Sequence, residues 1–470
     1  QAEDGIRDRS PSRGLGDVYK RQAQITASGV FGNHNTMADE VIISGIQKQL
    51  AYSLGQFHYE TDGFRKNNDQ QHDIYNLFAQ LALTPDFSLQ AEFRRRQTEE
   101  GYLNLNFDSK SLLPDYRRTL NQNSARLGGR WGLSRKSDLI FSFINTKREE
   151  TIKYSQIQDP LGRAIIDLNN IEEGYQLEVQ HLFKTPSLNT VTGVSSYNID
   201  INEQHNFTIP LPIFPYSYTQ ENKQNYRSKR DNFYIYNYFN YPDKLAWTIG
   251  LSYDIFQEGE HEIYKLNPKI GLQWNISDDT RLRLAFFETV KPALVVEQTL
   301  EPTQVSGFNQ FYDDMNGTQV KHHNIGVDTR FTNDVFGGIE LSRRDLKAPI
   351  VEPKNHTLEI NRIEDRQEDL YHAYLYWILN SNWSLSAEYQ FERFECIANC
   401  DINTTNATFT QIDTTVVPLT IKYFGSTGFF SNLTASYIHQ SIEKKEILEA
   451  HSQDETGFLV VDSTIGYRLP

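Results

Sequence analysis

Cysteine and methionine each occur only twice among 470 residues, so the chain is neither a disulfide-stapled scaffold nor a thiolate metal cage. Long hydrophobic runs are missing as well. None approaches the roughly twenty apolar residues of a helical membrane span, which excludes that class. A free basic stripe is also lacking: the net charge is −15, and Lys and Arg are interspersed with Asp and Glu, so nucleic acid is not an expected partner. The acidity suits hydrophilic surface loops and serves solubility equally well. No phosphate loop, nucleophile elbow or metalloprotease helix occurs, so no enzyme, cofactor or metal site is expected.

What is present is a rhythm. From about Asp73 onward, strand-like segments are joined alternately by tight turns and long polar connections. The tight turns include Thr84-Pro85-Asp86, Thr185-Pro186-Ser187, Tyr241-Pro242-Asp243-Lys244, Ser277-Asp278-Asp279, Thr332-Asn333-Asp334 and Asn380-Ser381-Asn382, all built from turn-forming residues. The long connections are expected near 103–120, 151–172, 202–228, 292–319, 347–367, 396–413 and 442–456. Short turns at one end and long loops at the other are the signature of an outer-membrane barrel.

The segments alternate with period two. Leu89, Ala91 and Phe93 interleave with Gln90, Glu92 and Arg94; Tyr175, Leu177 and Val179 with Gln176, Glu178 and Gln180; Trp383, Leu385, Ala387 and Tyr389 with Ser384, Ser386, Glu388 and Gln390. The apolar face meets either a second sheet or hydrocarbon, and three features favour hydrocarbon. Aromatics such as Phe87, Trp131, Phe183, Trp274, Phe336, Trp377, Trp383 and Phe430 gather beside the short turns, as an interfacial girdle requires. The segments are also about ten residues long, enough to cross a bilayer when tilted. Finally, the polar face carries Arg94, Arg96, Arg130, Glu178, Arg283, Asp328, Glu340 and Glu388, charges that a lumen accepts and a dry core does not.

The expected fold is therefore all-β, a large antiparallel transmembrane β-barrel with outer-membrane lipid as its surroundings. Roughly twenty strands are expected here and about twenty-two when the barrel is complete, the size of a plugged transporter. Residues 1–22 resemble a translated sequencing adaptor and are set apart as an artefactual leader, leaving 23–470 as the barrel domain. The last strand, Gly457 to Leu469, has nothing after it to cover its edge, so the domain is expected to be truncated at both ends.

The stretches GNHNTMADEVIISG (32–45), SLGQFHYETDGFRKNND (53–69), SLQAEFRRR (88–96), NPKIGLQW (267–274), EPTQVSGFNQFYDD (301–314), ELSRRDL (340–346) and DSTIGYRLP (462–470) resemble a TonB-dependent-receptor-like barrel. More narrowly, they resemble the barrel half of proteobacterial outer-membrane proteins that carry tetratricopeptide repeats. That resemblance implies a location in the cell outer membrane, a role in receptor or transport function for a bulky solute, and a periplasmic repeat or plug domain as partner.

Several residues are candidate contacts. The connection from Glu297 to Gln319 mixes Glu301, Gln304, Asn309, Gln310 and Asp313 with Phe308, Phe311 and Tyr312, and such a loop can fold inward to meet sugar hydroxyls or remain an ordinary packed outer loop. Arg94, Arg95 and Arg96, with Arg126, Arg130 and Arg148, form either a cationic lumen wall or pairs with Glu92, Glu99 and Glu149. Phe207 to Tyr218 holds Pro210, Pro212 and Pro215, which are expected to halt a strand ladder. Cys396 and Cys400, four apart on an expected outer loop, suit a disulfide in an oxidising compartment. The adjacent His322 and His323 point to opposite faces and make no metal pair.

An outer-membrane receptor or transporter is the function that fits this pattern best. An export or secretion conduit and a secreted all-β adhesin or enzyme are the alternatives. Arginine at Leu385 or Leu177 is expected to be costly, and arginine at Gln390 or Gln180 to be tolerated.

Overall fold

The computed structural model describes residues 22–103, 113–158, 162–210, 217–292, 296, 298–354, 357–400, 408–445 and 452–468. The strands are β1 (Gln22–Phe31), β2 (Met37–Gln47), β3 (Leu50–Thr61), β4 (Gln70–Thr84), β5 (Phe87–Glu100) and β6 (Arg117–Ser134). They continue with β7 (Ser137–Gln158), β8 (Gly162–Lys184), β9 (Leu188–Pro210), β10 (Ser217–Phe239), β11 (Leu245–Glu258), β12 (His261–Asn275) and β13 (Thr280–Val290). A small hairpin follows, β14 (Gln304–Val305) and β15 (Phe308–Asn309), before β16 (Gln319–Arg330), β17 (Val335–Lys354), β18 (Thr357–Ile378) and β19 (Trp383–Ala398). The last three are β20 (Thr408–Phe424), β21 (Phe429–Lys445) and β22 (Ser452–Tyr467).

Apart from the hairpin, the strands form one 20-stranded sheet. Each pairs antiparallel with its neighbour in sequence, β13 with β16, and the sheet curls around the segment between those two. Among the described residues no pairing joins β22 to β1.

Local chemistry explains the tight turns. In four of them the first residue's side-chain oxygen accepts a backbone N–H two or three residues on: Ser277 Oγ from Asp279 (3.2 Å), Thr332 Oγ1 from Asp334 (3.2 Å), Asn380 Oδ1 from Asn382 (2.9 Å) and Thr185 Oγ1 from Leu188 (3.0 Å). All of them lie at one end of the barrel. The other end departs from the expected long loops in two ways. Residues 151–172, 202–228 and 347–367 are largely strand, because β7 to β10, β17 and β18 run for 20 to 23 residues and project as paired ribbons beyond the roughly ten needed to cross a bilayer. Between β11 and β12 the chain turns within two residues, Gly259 and Glu260, and Gly259 takes φ 58° at no steric cost.

The ladder also persists to Pro210, which pairs with Ser217. A proline is tolerated there because it is the last residue of its strand. Pro212, Phe214, Pro215 and Tyr216 lie outside the described residues.

One face of the sheet packs on the segment between β13 and β16 and is the inside. The other exposes a belt of apolar side chains, including Leu77, Phe93, Leu127, Phe143, Leu177, Ile249, Ile339, Leu375 and Leu433. Exposed hydrophobics on that scale are stable in lipid. Toward the long connections the same outward rows turn ionic, with Lys147 to Glu173 (2.9 Å), Arg343 to Asp369 (2.7 Å) and Arg393 to Asp413 (2.8 Å). Toward the short turns, Trp131, Trp274, Trp377 and Trp383 remain exposed. Phe336 and Phe430 do not join that girdle, because their register partners Tyr376 and Phe424 put them on the inward-facing parity.

Candidate functional site

The described residues of the segment from Lys291 to Thr318 lie inside the lumen. Its neck is closed by Lys291 N–H donating to Thr318 O (2.8 Å) and Gly317 N–H donating to Lys291 O (2.9 Å). From there it lies against the wall of β8 to β13, β16 and β17, fastened by a buried polar network. Glu178 accepts hydrogen bonds from Thr299 Oγ1 (2.8 Å) and Tyr197 OH (2.5 Å), and from the Leu300 N–H. Gln176 Nε2 donates to Gln298 O (2.7 Å), and Gln180 Nε2 to Leu300 O.

Four of the expected contact residues belong to this fastening. The Tyr236 hydroxyl donates to Glu301 Oε1 (2.9 Å), and Gln310 Nε2 donates to that hydroxyl (3.1 Å). Arg230, only 2% exposed, sits between Asp254 and Glu301, donating from Nε to Asp254 Oδ1 at 2.6 Å and from Nη2 to Glu301 at 3.4 Å. Burial pushes the Glu301 carboxyl above its usual range, while Arg230 and Lys269 pull it back. Phe308 is buried beneath Arg283, whose guanidinium lies 4.8 Å from the ring centroid. Tyr312 is held between the Arg344 guanidinium, 3.9 Å from its centroid, and the His322 ring, 5.8 Å away. Burial raises the Tyr312 phenol, against the opposing charge of Arg344.

The hairpin tip needs space on the wall, and Gly271 supplies it. A Cβ there would run into Ser306 Oγ and lie 2.8 Å from Val305 Cγ1. His322 is fully buried and stacks on Phe287 at 4.3 Å, while His323 faces outward near Asp345, as adjacent strand residues must.

Because the segment leans on one wall, it leaves space along β4 to β8. A chamber of about 720 Å³ lies toward the short turns, lined by Ser88, Gln90, Arg126, Arg130, Ser142 and Gln176 and by Asn309 and Phe311 of the segment. A second, of about 640 Å³, lies toward the long connections. Its lining includes Arg94, Arg96, Arg118 and Arg148, with Lys291, Asp313 and Asp314 from the segment. Gln298 borders both.

Of the remaining expected residues, Asn309, Phe311, Asp313, Arg94 and Arg130 line these spaces. Gln304 stays exposed at the hairpin and donates to Asn309 Oδ1 (3.0 Å). Glu297 is outside the described residues. The arginines divide between the two readings. Arg126 pairs with Glu92 (3.1 Å), Arg130 with Asp138 (2.8 Å) and Arg148 with Glu150 (2.9 Å) and Glu172 (3.2 Å). Arg94 has no ion partner among the described residues. Arg95, Glu99 and Glu149 lie on the outward parity and belong to neither lumen arrangement. Cys396 and Cys400 are joined in a disulfide with Cα atoms 6.0 Å apart.

Sequence reasoning missed Arg230, Asp254 and Tyr236 as the wall's side of the fastening, and Lys269 as the buried cation beside it. Their only sequence signal is membership of the inward-facing rows.

The family model for TonB dependent receptor-like, beta-barrel matches residues 44–351. The chain belongs to this family. Solved TonB-dependent-receptor barrels superpose on nearly all of it. The ferric yersiniabactin uptake receptor FyuA from Yersinia pestis aligns with a TM-score of 0.65 at 13% identity, covering 95% of this chain and 73% of that one. The ferric-catecholate import receptor Fiu from E. coli gives 0.65 at 11% identity, covering 96% and 76%. The copper transporter OprC gives 0.64 at 10% identity, covering 96% and 73%. No curated protein sequence matches the chain significantly. As a TonB-dependent-receptor-like barrel it is an outer-membrane receptor or transporter for solutes. The identities are too low to carry a cargo across.

Proposed function

We propose that this barrel captures a bulky, negatively charged solute in the chamber toward the long connections. The carrying observation is the lining: of Arg94, Arg96, Arg118, Arg148 and Lys291, Arg118 and Arg148 are paired with Glu100, Glu150 and Glu172, whereas Arg94 is not neutralised by any described neighbour. Cations in a cleft with low-dielectric walls focus the field and raise the local concentration of anions. Neighbours named for ferric chelates are consistent with a solute too large for a simple pore.

The test holds the scaffold constant and varies charge. Galacturonate oligomers of equal length, left as free acids, methyl-esterified or amidated with ethylenediamine, present negative, neutral and positive versions of one backbone to the purified barrel. The anionic oligomer should bind tightest and weaken with salt, and Arg94→Gln should lower its affinity about tenfold, since a hydrogen bond to a charged group contributes about 1.5–3 kcal/mol. Equal affinity across the charge series, or an Arg94→Gln variant that binds like the parent, refutes the proposal.

A plug or periplasmic repeat domain acting at the short-turn end belongs to the same reading, as does a leader over residues 1–22 that is foreign to the native chain. Recovering the full reading frame checks both. A plug upstream supports uptake, and helical repeats of about 34 residues support export.

A further inference from the structure

The chamber toward the short turns has a different chemistry from its neighbour. Its charged groups are already paired: Arg126 with Glu92, though the Arg126 Nε has no partner, Arg130 with Asp138, and Glu178 with Thr299, Tyr197 and Leu300. Some of its neutral polar side chains are not. The side chains of Ser88, Gln90 and Ser142 make no hydrogen bond among the described residues, and of these groups the Gln176 carbonyl oxygen is the one fully buried without a partner, although its Nε2 is engaged. Buried polar atoms left unpaired cost free energy that a matching ligand recovers.

We infer that this chamber is a subsite for the polyhydroxylated part of the solute, so that the solute is an acidic oligosaccharide. The inference rests on the anionic reading of the other chamber and adds the substrate class. Side-chain amides both donate and accept, as sugar hydroxyls do, and Phe311 offers a flat apolar face to the C–H side of a sugar ring. Gln298 lines both chambers, so the proposed linear chain would pass this one side chain to place a carboxylate near Arg94 and its hydroxyl-bearing units against Gln90, Ser142 and Phe311. Each volume falls within the range that holds a small ligand or a few sugar units.

The experiment now holds charge constant and varies the scaffold. Binding of a galacturonate hexamer and of a glutamate hexapeptide is measured by calorimetry on the purified full chain and on Arg94→Gln, Phe311→Ala and Gln90→Ala variants. The saccharide should bind at least tenfold tighter than the peptide. Phe311→Ala and Gln90→Ala should each weaken the saccharide about tenfold and leave the peptide unchanged, whereas Arg94→Gln should weaken both. Equal binding of the two hexamers, or variants that bind the saccharide like the parent, overturns the saccharide class while leaving the anionic site standing. Loss of charge preference altogether overturns both. Should Phe311→Ala fail to fold, Gln90→Ala, which removes only a partly exposed amide, decides the question.

Discussion

Arg230→Ala should free the inward segment and cost about 3–5 kcal/mol, the penalty for removing one partner from a buried ion pair. Asp254 is 1% and Glu301 2% exposed, so both carboxylates would be left in a dry site without their cation. Part of the loss is avoidable only if the segment leaves the wall and carries Glu301 to water. Ser306 reports the outcome, because it is 5% exposed against Gly271 and its hydroxyl makes no hydrogen bond. In a Ser306→Cys background a maleimide should react slowly with the parent and quickly once Arg230 is replaced; the native cysteines are disulfide-bonded and silent. Gly271→Leu should have the same labelling effect by filling the seat of the hairpin. An unchanged labelling rate together with an unchanged denaturation midpoint would show that the network does not hold the segment.

The second large effect concerns the two faces of the wall. Leu177 is 46% exposed on the outward face, seven residues from the end of β8 at Lys184, which puts it well inside the belt. Leu177→Arg should cost about 2–4 kcal/mol in a folding assay in lipid, by the penalty for a cation near the bilayer midplane. Leu385 lies two residues from the start of β19, so the expectation of an equal penalty there is corrected to about 0–1 kcal/mol, the value near an interface. On the inward face Gln390→Arg should be nearly neutral. Gln180, paired with it as a tolerant site from the sequence, is not one: its Nε2 donates to Tyr234 OH (3.1 Å) and to Leu300 O beneath the inward segment. Equal losses at Leu177 and Gln390 would contradict the assignment of inside and outside.

Much of this was legible along the chain. Leu177 and Glu178 could be placed on opposite faces because side chains of a strand alternate whatever the strand later pairs with. The turns at Ser277, Thr332 and Asn380 could be placed because each is closed by its own first residue. The turn at Gly259 and Glu260 passed unnoticed, since it interrupts no apolar pattern. The extents of β7 to β10 were underestimated for a related reason. Polar residues in a ribbon beyond the membrane read as loop, although cross-strand pairs such as Arg227 with Asp200 (2.8 Å) hold them in register.

Alone, the sequence determined the repeating unit, its two faces and the end at which the turns are tight, because period-two alternation and turn chemistry depend on residues within a few positions of one another. Only the tertiary structure decided which polar residues of the inward segment are anchors and which line open space. Glu301 is buried by Arg230 and Tyr236, 71 and 65 positions away, while Asp313, in the same connection, borders a chamber. Burial is a property of what the curled wall brings together, and no local pattern encodes it.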